Sequence, residues 1–444
     1  MNLKSKIQNR NSRRRGVTIV EVLFAILVAT VGVFSVIVIF PFASSQARRA
    51  RVNDMLAAAG RSAFHAFDAR GMRRATDRWL ACNPVNGAFV PALGVLQKGE
   101  SICIDPRTIA AHTTTNAVPP ATVPIWPLSS IQAMTNQSST GSPGGLCTQV
   151  FPYVQPGTTP YLASVNPIVF NGLFMRRITL WSGAYNSLGQ KLAMTLPQAN
   201  ALFMIDDDVS YQRSEKDKSA AATQDFVQLL GGATPQWLKR DSVQKISWIA
   251  TLVPQIDVSG VPSDEYTLSV VMMYDRPNDP NNLEFTTASG TPGYPKKERV
   301  VKGAWQGFLS ATGVPTGGTT GGEIYLAVSA TPIAGASPND VKDQLKLRPN
   351  EWVMVSGTYN GVTRFQWYRV SDSDNEPTLN TNAGVYELYA TLIGQDWNTS
   401  FQDPQTPLLP AIVANGGFPV NVTIVEGAFA VFEKTIRLEY GSSM

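Results

Sequence analysis

Histidine, the commonest general base and metal ligand, occurs only at His65 and His112, and no cysteine or histidine spacing in the chain resembles a zinc site. His65 falls beside apolar residues on a helical pattern and reads as a packing or surface histidine. No Gly-x-Ser-x-Gly elbow is present, and the Gly-rich run from Gly313 to Gly322 lacks the Gly-Lys-Ser/Thr ending of a phosphate-binding loop. Two acidic clusters, Asp206-Asp207-Asp208 and Asp372-Ser373-Asp374-Asn375-Glu376, offer oxygen ligands of the kind calcium takes. The second has Pro377 where a calcium loop needs a sharp-turn glycine, and both read as solvated turns in preference to sites. Asn136, Asn398 and Asn421 begin Asn-x-Ser/Thr sequons that read as incidental. No nucleophile, base and metal can be assembled into a constellation, so the expectation is a non-enzyme with no catalytic residue, no metal and no cofactor.

One ionisable residue stands out instead. From Val17 to Phe40 the chain is apolar apart from Glu21, and at about 1.5 Å per helical residue this stretch is long enough for a membrane span. A carboxylate there either reaches for the interface or needs a cationic partner, since burial at the bilayer centre costs about 2.5–3.5 kcal/mol. Before it lie Lys4, Lys6, Arg10, Arg13, Arg14 and Arg15, with no acid among them. Removing these six from 37 basic residues leaves 31 against 33 acidic ones, so the chain after Gly16 is slightly acidic and no nucleic-acid partner is expected. The same six charges place the N-terminus in the cytoplasm and the rest beyond the inner membrane, with Arg48, Arg49 and Arg51 partly opposing. In that compartment the three cysteines allow one bridge and one free thiol. Three pairings are open; Cys82 with Cys103 is preferred because they are closest along the chain, and Cys147 reads as a small buried hydrophobe.

The order basic leader, Gly16, then Val17-Thr18-Ile19-Val20-Glu21-Val22-Leu23-Phe24 resembles the class III signal of type IV prepilins and type II secretion pseudopilins, in particular minor pilins of the PilV type. The resemblance covers residues 1 to about 70. It implies cleavage by prepilin peptidase between Gly16 and Val17, methylation of the new amine at Val17, and assembly with other pilins or pseudopilins through Glu21. Val17 departs from the more usual phenylalanine at that position. The implied role of Glu21 is to meet the Val17 amine of a neighbouring subunit.

Around these residues the sequence divides readily. Residues 1–16 form a cleaved leader, and 17–80 an N-terminal helix, transmembrane over 17–40 and amphipathic over 43–80. Pro41 is expected to end or kink the first part. Val52, Met55, Leu56, Ala59, Ala63, Ala66 and Phe67 form an apolar stripe on the second. Residues 81–165 are rich in Pro, Gly, Thr and Ser and read as irregular. A β-rich part, 166–312, contains strands at 176–180, 245–252 and 266–274, the last two an antiparallel hairpin. The Gly-rich linker 313–322 leads to a second β-rich part, 323–444, with strands at 323–328, 351–356, 364–370 and 385–393 and a final one ending near Tyr440. The expected class is therefore α+β: a long N-terminal transmembrane and amphipathic helix followed by a large antiparallel β-rich head, as in pilins. The expected function is a minor pilin-like subunit, first single-pass in the inner membrane with an extracytoplasmic head, then in a type IV pilus or type II secretion pseudopilus. The alternative is a membrane-anchored binding module for adhesion or exported-protein recognition.

Overall fold

The computed structural model describes residues 18–82, 89–92, 96, 99–114, 150–152, 175–186, 189–205, 209–212, 226–229, 236–242, 246–256, 261–274, 276, 297–305, 321–332, 337–402 and 417–439. It separates into two compact units, Met1–Ala58 and Ala59–Met444.

Helix α1, Ile19–Ala69, begins where the Thr18 hydroxyl accepts the Glu21 N–H at 3.3 Å, an N-cap bond. It runs through Pro41, the single backbone bond lost there being outweighed by long helix-forming flanks. It ends at Gly71, whose φ of 64° lets its N–H reach Asp68 O and the Met72 N–H reach Phe67 O, both at 3.0 Å. That pair of bonds is a Schellman cap, and it stops the helix short of the expected residue 80. The anticipated stripe is present: Leu56, Ala59, Ala63 and Phe67 are buried, and His65 is exposed.

The expected class needs correction. Strands, not helices, make up most of the fold, in two large sheets, so it is mainly β rather than α+β. Among the described residues no helix is long and apolar enough to cross a membrane. The transmembrane helix and the single-pass inner-membrane placement are therefore not supported.

After the short helix α2 (Ala75–Arg78) come β1 (Trp79–Cys82), β2 (Phe89–Pro91), β3 (Ile102–Ile104), α3 (Pro106–Thr114), β4 (Val150–Phe151), β5 (Met175–Tyr185), β6 (Lys191–Ala193) and α4 (Leu196–Phe203). Then follow β7 (Val209–Gln212), β8 (Phe226–Leu229), β9 (Gln236–Ser242), β10 (Ile246–Ile256), β11 (Pro262–Tyr274), β12 (Glu298–Trp305), β13 (Gly321–Ser329) and α5 (Pro338–Asp343). The last strands are β14 (Trp352–Tyr359), β15 (Val362–Ser373), β16 (Thr378–Asn380), β17 (Val385–Ile393), β18 (Phe418–Val425) and β19 (Ala428–Arg437).

The first large sheet has the order β19-β11-β10-β3-β5-β1-β2, with β4 and β6 also paired to β5. The expected hairpin is its β10–β11 pair, in register from Ile246↔Tyr274 to Pro254↔Tyr266. Among the described strand pairs only β3–β5 runs parallel. The second sheet closes on itself: β12, β13, β17, β15, β14 and β18 each pair with the next, and β18 returns to β12. This closed antiparallel barrel has no free edge among its six strands. Its alternate residues, including Val301, Leu326, Val355, Tyr368, Leu388 and Val422, fill the interior, and Val341, Leu345 and Leu347 from α5 and its following turn join them. The barrel's outer wall, with Met354, Phe365 and Trp367, packs against Ile249, Val271 and Met273 of the first sheet. A third sheet is β7-β9-β8.

Gly60 fixes how closely α1 approaches β19. A Cβ there would lie 2.4 Å from the Phe432 ring. Gly60→Ala should therefore lower stability by about 1–3 kcal/mol, against the roughly 1 kcal/mol that alanine gains in an unobstructed helix. Thermal unfolding of the variant checks this.

Candidate functional site

Gly16 and Val17, the expected cleavage and methylation positions, lie outside the described residues, as do Asp206-Asp207-Asp208, Asn136 and Cys147. Glu21 is described, and it occupies the first turn of α1, where the helix dipole favours a carboxylate. It forms no ion pair among the described residues. Around it Ile19, Leu23, Phe24, Leu27, Val31 and Phe34 are all exposed, Ile19 to 80% and Phe34 to 68%. Because Val20, Val22, Ile26 and Val28 are exposed as well, this end of the helix presents apolar side chains on every face.

The calcium reading of 372–376 finds no geometry. Asp372 accepts the Ser373 N–H at 2.9 Å and Asp374 accepts the Tyr389 N–H at 3.1 Å, where β15 bulges against β17. No group of three metal-ligating side chains exists among the described residues. Asn421 is fully buried in β18, and His112 lies on α3.

The expected Cys82–Cys103 bridge is corrected: Cys103 is a free, buried thiol. The sheet order explains why. Strand β5 lies between β3 and β1, placing their chains about 9.6 Å apart, beyond the span of a disulfide. Burial pushes the Cys103 thiol well up from its ordinary value, which keeps it protonated and inert.

What stands across the sheet from Cys103 is Arg177, its partner in the β3–β5 register. Arg177 belongs to a ring of four buried charges. Its guanidinium donates to Asp105 through Nη1 and to Glu298 Oε2 through Nη2 at 2.7 Å. Arg276 Nη2 donates to Asp105 Oδ2 at 2.7 Å and to Glu298 Oε1 at 2.6 Å. The side chains of Arg177, Asp105 and Glu298 are at most 1% exposed, and that of Arg276 is 6%. Two cations face two anions, so each carboxylate meets both guanidinium groups and the ring is neutral.

Local structure sets each member in place. Asp105 follows β3 and caps α3, accepting the Thr108 N–H at 3.4 Å. Arg177 points from β5, its Cζ 5.3 Å from the Phe151 ring centroid. Arg276 lies just past β11, and Glu298 opens β12 of the barrel. The ring thus ties the first sheet to the barrel. Burial pushes the Asp105 carboxyl up, but the Arg276 and Arg177 charges outweigh it and hold it well below its ordinary 3.8.

Sequence reasoning read 176–180 as a strand without marking the charge inside it. A signal was there: Arg177 shares a strand face with Met175 and Thr179. No protein-family profile, no curated protein and no solved structure matches the chain.

Proposed function

We propose that this chain is a pilin-like minor subunit, trimmed by prepilin peptidase between Gly16 and Val17 and assembled through its N-terminal helix into a type IV pilus or type II secretion pseudopilus. The observation that carries the reading is the apolar end of α1, exposed on every face from Ile19 to Phe34 around the single carboxylate of Glu21. A helix apolar all round is covered all round in its working state. Fully burying each such side chain is worth about 1.5–3 kcal/mol, so neighbouring helices would gain a large apolar contact. Glu21 then requires a cation, which a neighbour's Val17 amine supplies. The stripe Ala59, Ala63 and Phe67 is already buried, whereas the described first part of the helix is open to partners.

A photo-crosslinking residue in place of Leu27, 58% exposed, tests this directly. The expected result is an adduct with another pilin or pseudopilin in cells that build the filament. Crosslinks at Leu27 that never include such a subunit would remove the reading.

A further inference from the structure

We propose that a charged cleft at one mouth of the barrel binds a small tetrahedral oxyanion, either free phosphate or a phosphate monoester. The cleft is about 200 Å³ and is lined by Lys297, Arg299, Asp343, Lys346, Arg348 and Glu351, with Glu426 beside Lys297. Its walls are the start of β12, the start of β14, the end of β18 and the turn after α5. Every described lining residue is ionisable, and a cavity of this size admits a phosphate group but not a folded polymer.

The charges do not cancel internally. Lys297 is paired with Glu426 at 3.2 Å. Glu351 is committed locally, one carboxylate oxygen accepting the Arg348 backbone N–H at 3.1 Å. Burial raises the Glu351 carboxyl above its ordinary 4.5, which weakens it as a counter-charge. Asp343 is exposed. Lys346 and Arg348, two residues apart on the same turn, form no ion pair among the described residues. An arginine fork beside a lysine ammonium is the donor set that phosphate oxygens take.

The turn carrying these two cations is held from within. Arg299, buried inside the barrel mouth, donates through Nε to Gln344 O at 2.8 Å and through Nη2 to Lys346 O. Its guanidinium therefore fixes the backbone on either side of Leu345 and places Lys346 at the cleft, a support beneath the binding groups. Val341, Leu345 and Leu347 anchor the same turn in the barrel core.

Isothermal titration of the full chain with inorganic phosphate, and separately with glycerol phosphate, at constant ionic strength tests the proposal. Saturable one-to-one binding of either probe is expected, and which of the two binds more tightly identifies the source. Because Lys346 and Arg348 are exposed, the K346A/R348A variant should keep its melting temperature and bind at least tenfold more weakly. Glu351→Gln removes a negative charge facing the anion and should tighten binding about threefold, a gain that damage to the fold does not produce. Absence of saturable binding by both probes, or undiminished binding by K346A/R348A, would overturn the proposal.

Discussion

Replacing Arg177 with methionine is expected to destabilise the fold by about 3–5 kcal/mol at neutral pH, the largest single-residue effect the structure implies. The substitution leaves the buried Asp105 and Glu298 still bonded to Arg276 but without the second guanidinium. Methionine fills much of the arginine volume, so the loss is one of charge compensation and not of packing. The effect should couple to its partners: adding Glu298→Gln to Arg177→Met restores balance around Arg276 and should recover part of the loss, a non-additivity a double-mutant cycle measures.

The pH dependence carries a definite sign. The folded Asp105 carboxyl lies below its unfolded value of 3.8. Its contribution is fully present above 3.8 and is lost as the pH falls through the lower folded value, so Asp105 adds no slope to wild-type stability between pH 5 and 8. In Arg177→Met, one of the two cations that depress this carboxyl is gone and burial pushes its value up. The variant's deficit should then be largest at neutral pH and shrink on acidification. Denaturant unfolding of both proteins at pH 7 and pH 4 reads this out, and an equal deficit at both would mean that the ring does not act through Asp105.

Glu21→Ala is expected to reduce incorporation into filaments at least tenfold while changing head stability little. The structural role visible for Glu21 is modest: a carboxylate in the first helical turn contributes about 0.3–1 kcal/mol through the helix dipole. Loss of that amount frays one helix end and does not reach the sheets. A carboxylate surrounded by exposed apolar side chains has a different consequence in an assembly, because packed neighbours would leave it buried and in need of a cation. Alanine removes that requirement together with the register it sets. Glu21→Gln should fall between the two, keeping size and hydrogen bonding without charge. Immunoblots of sheared filament fractions, paired with melting curves, measure both quantities.

Local periodicity was legible and long-range pairing was not. The stripe Leu56, Ala59, Ala63 and Phe67 has helical spacing and is buried accordingly. Strands β10 and β11 are neighbours along the chain, and the two pair as expected. Barrel closure depends instead on β12 meeting β18 and β13 meeting β17. These contacts join segments more than fifty residues apart, and nothing in their alternation names a partner. Strand β12 is not legible in the sequence, because Lys302 and Gly303 interrupt its apolar run.

The same limit explains the other departures. Chain proximity suggested Cys82 and Cys103 as a pair, but a strand from 70 residues further on, β5, is inserted between theirs. Three members of the charge ring, Asp105, Arg276 and Glu298, sit at strand ends or just beyond them, where charges ordinarily meet solvent. Only the fold brings them inward. The length of an apolar run in the sequence suggests a membrane span, whereas among the described residues no helix is long and apolar enough to cross a membrane. Glu21 was singled out from its isolation among apolar residues, and the exposure of its neighbours keeps it the leading candidate for a contact between subunits.

The proposed role is that of a pilin-like subunit, cleaved before Val17 and assembled through helix α1. Mass spectrometry of the N-terminal peptide, on protein taken from a sheared filament or secretion-assembly fraction, tests it most directly. The account predicts a chain that lacks residues 1–16 and begins at an N-methylated Val17. A chain that retains Met1, or that is absent from every such fraction, would contradict it.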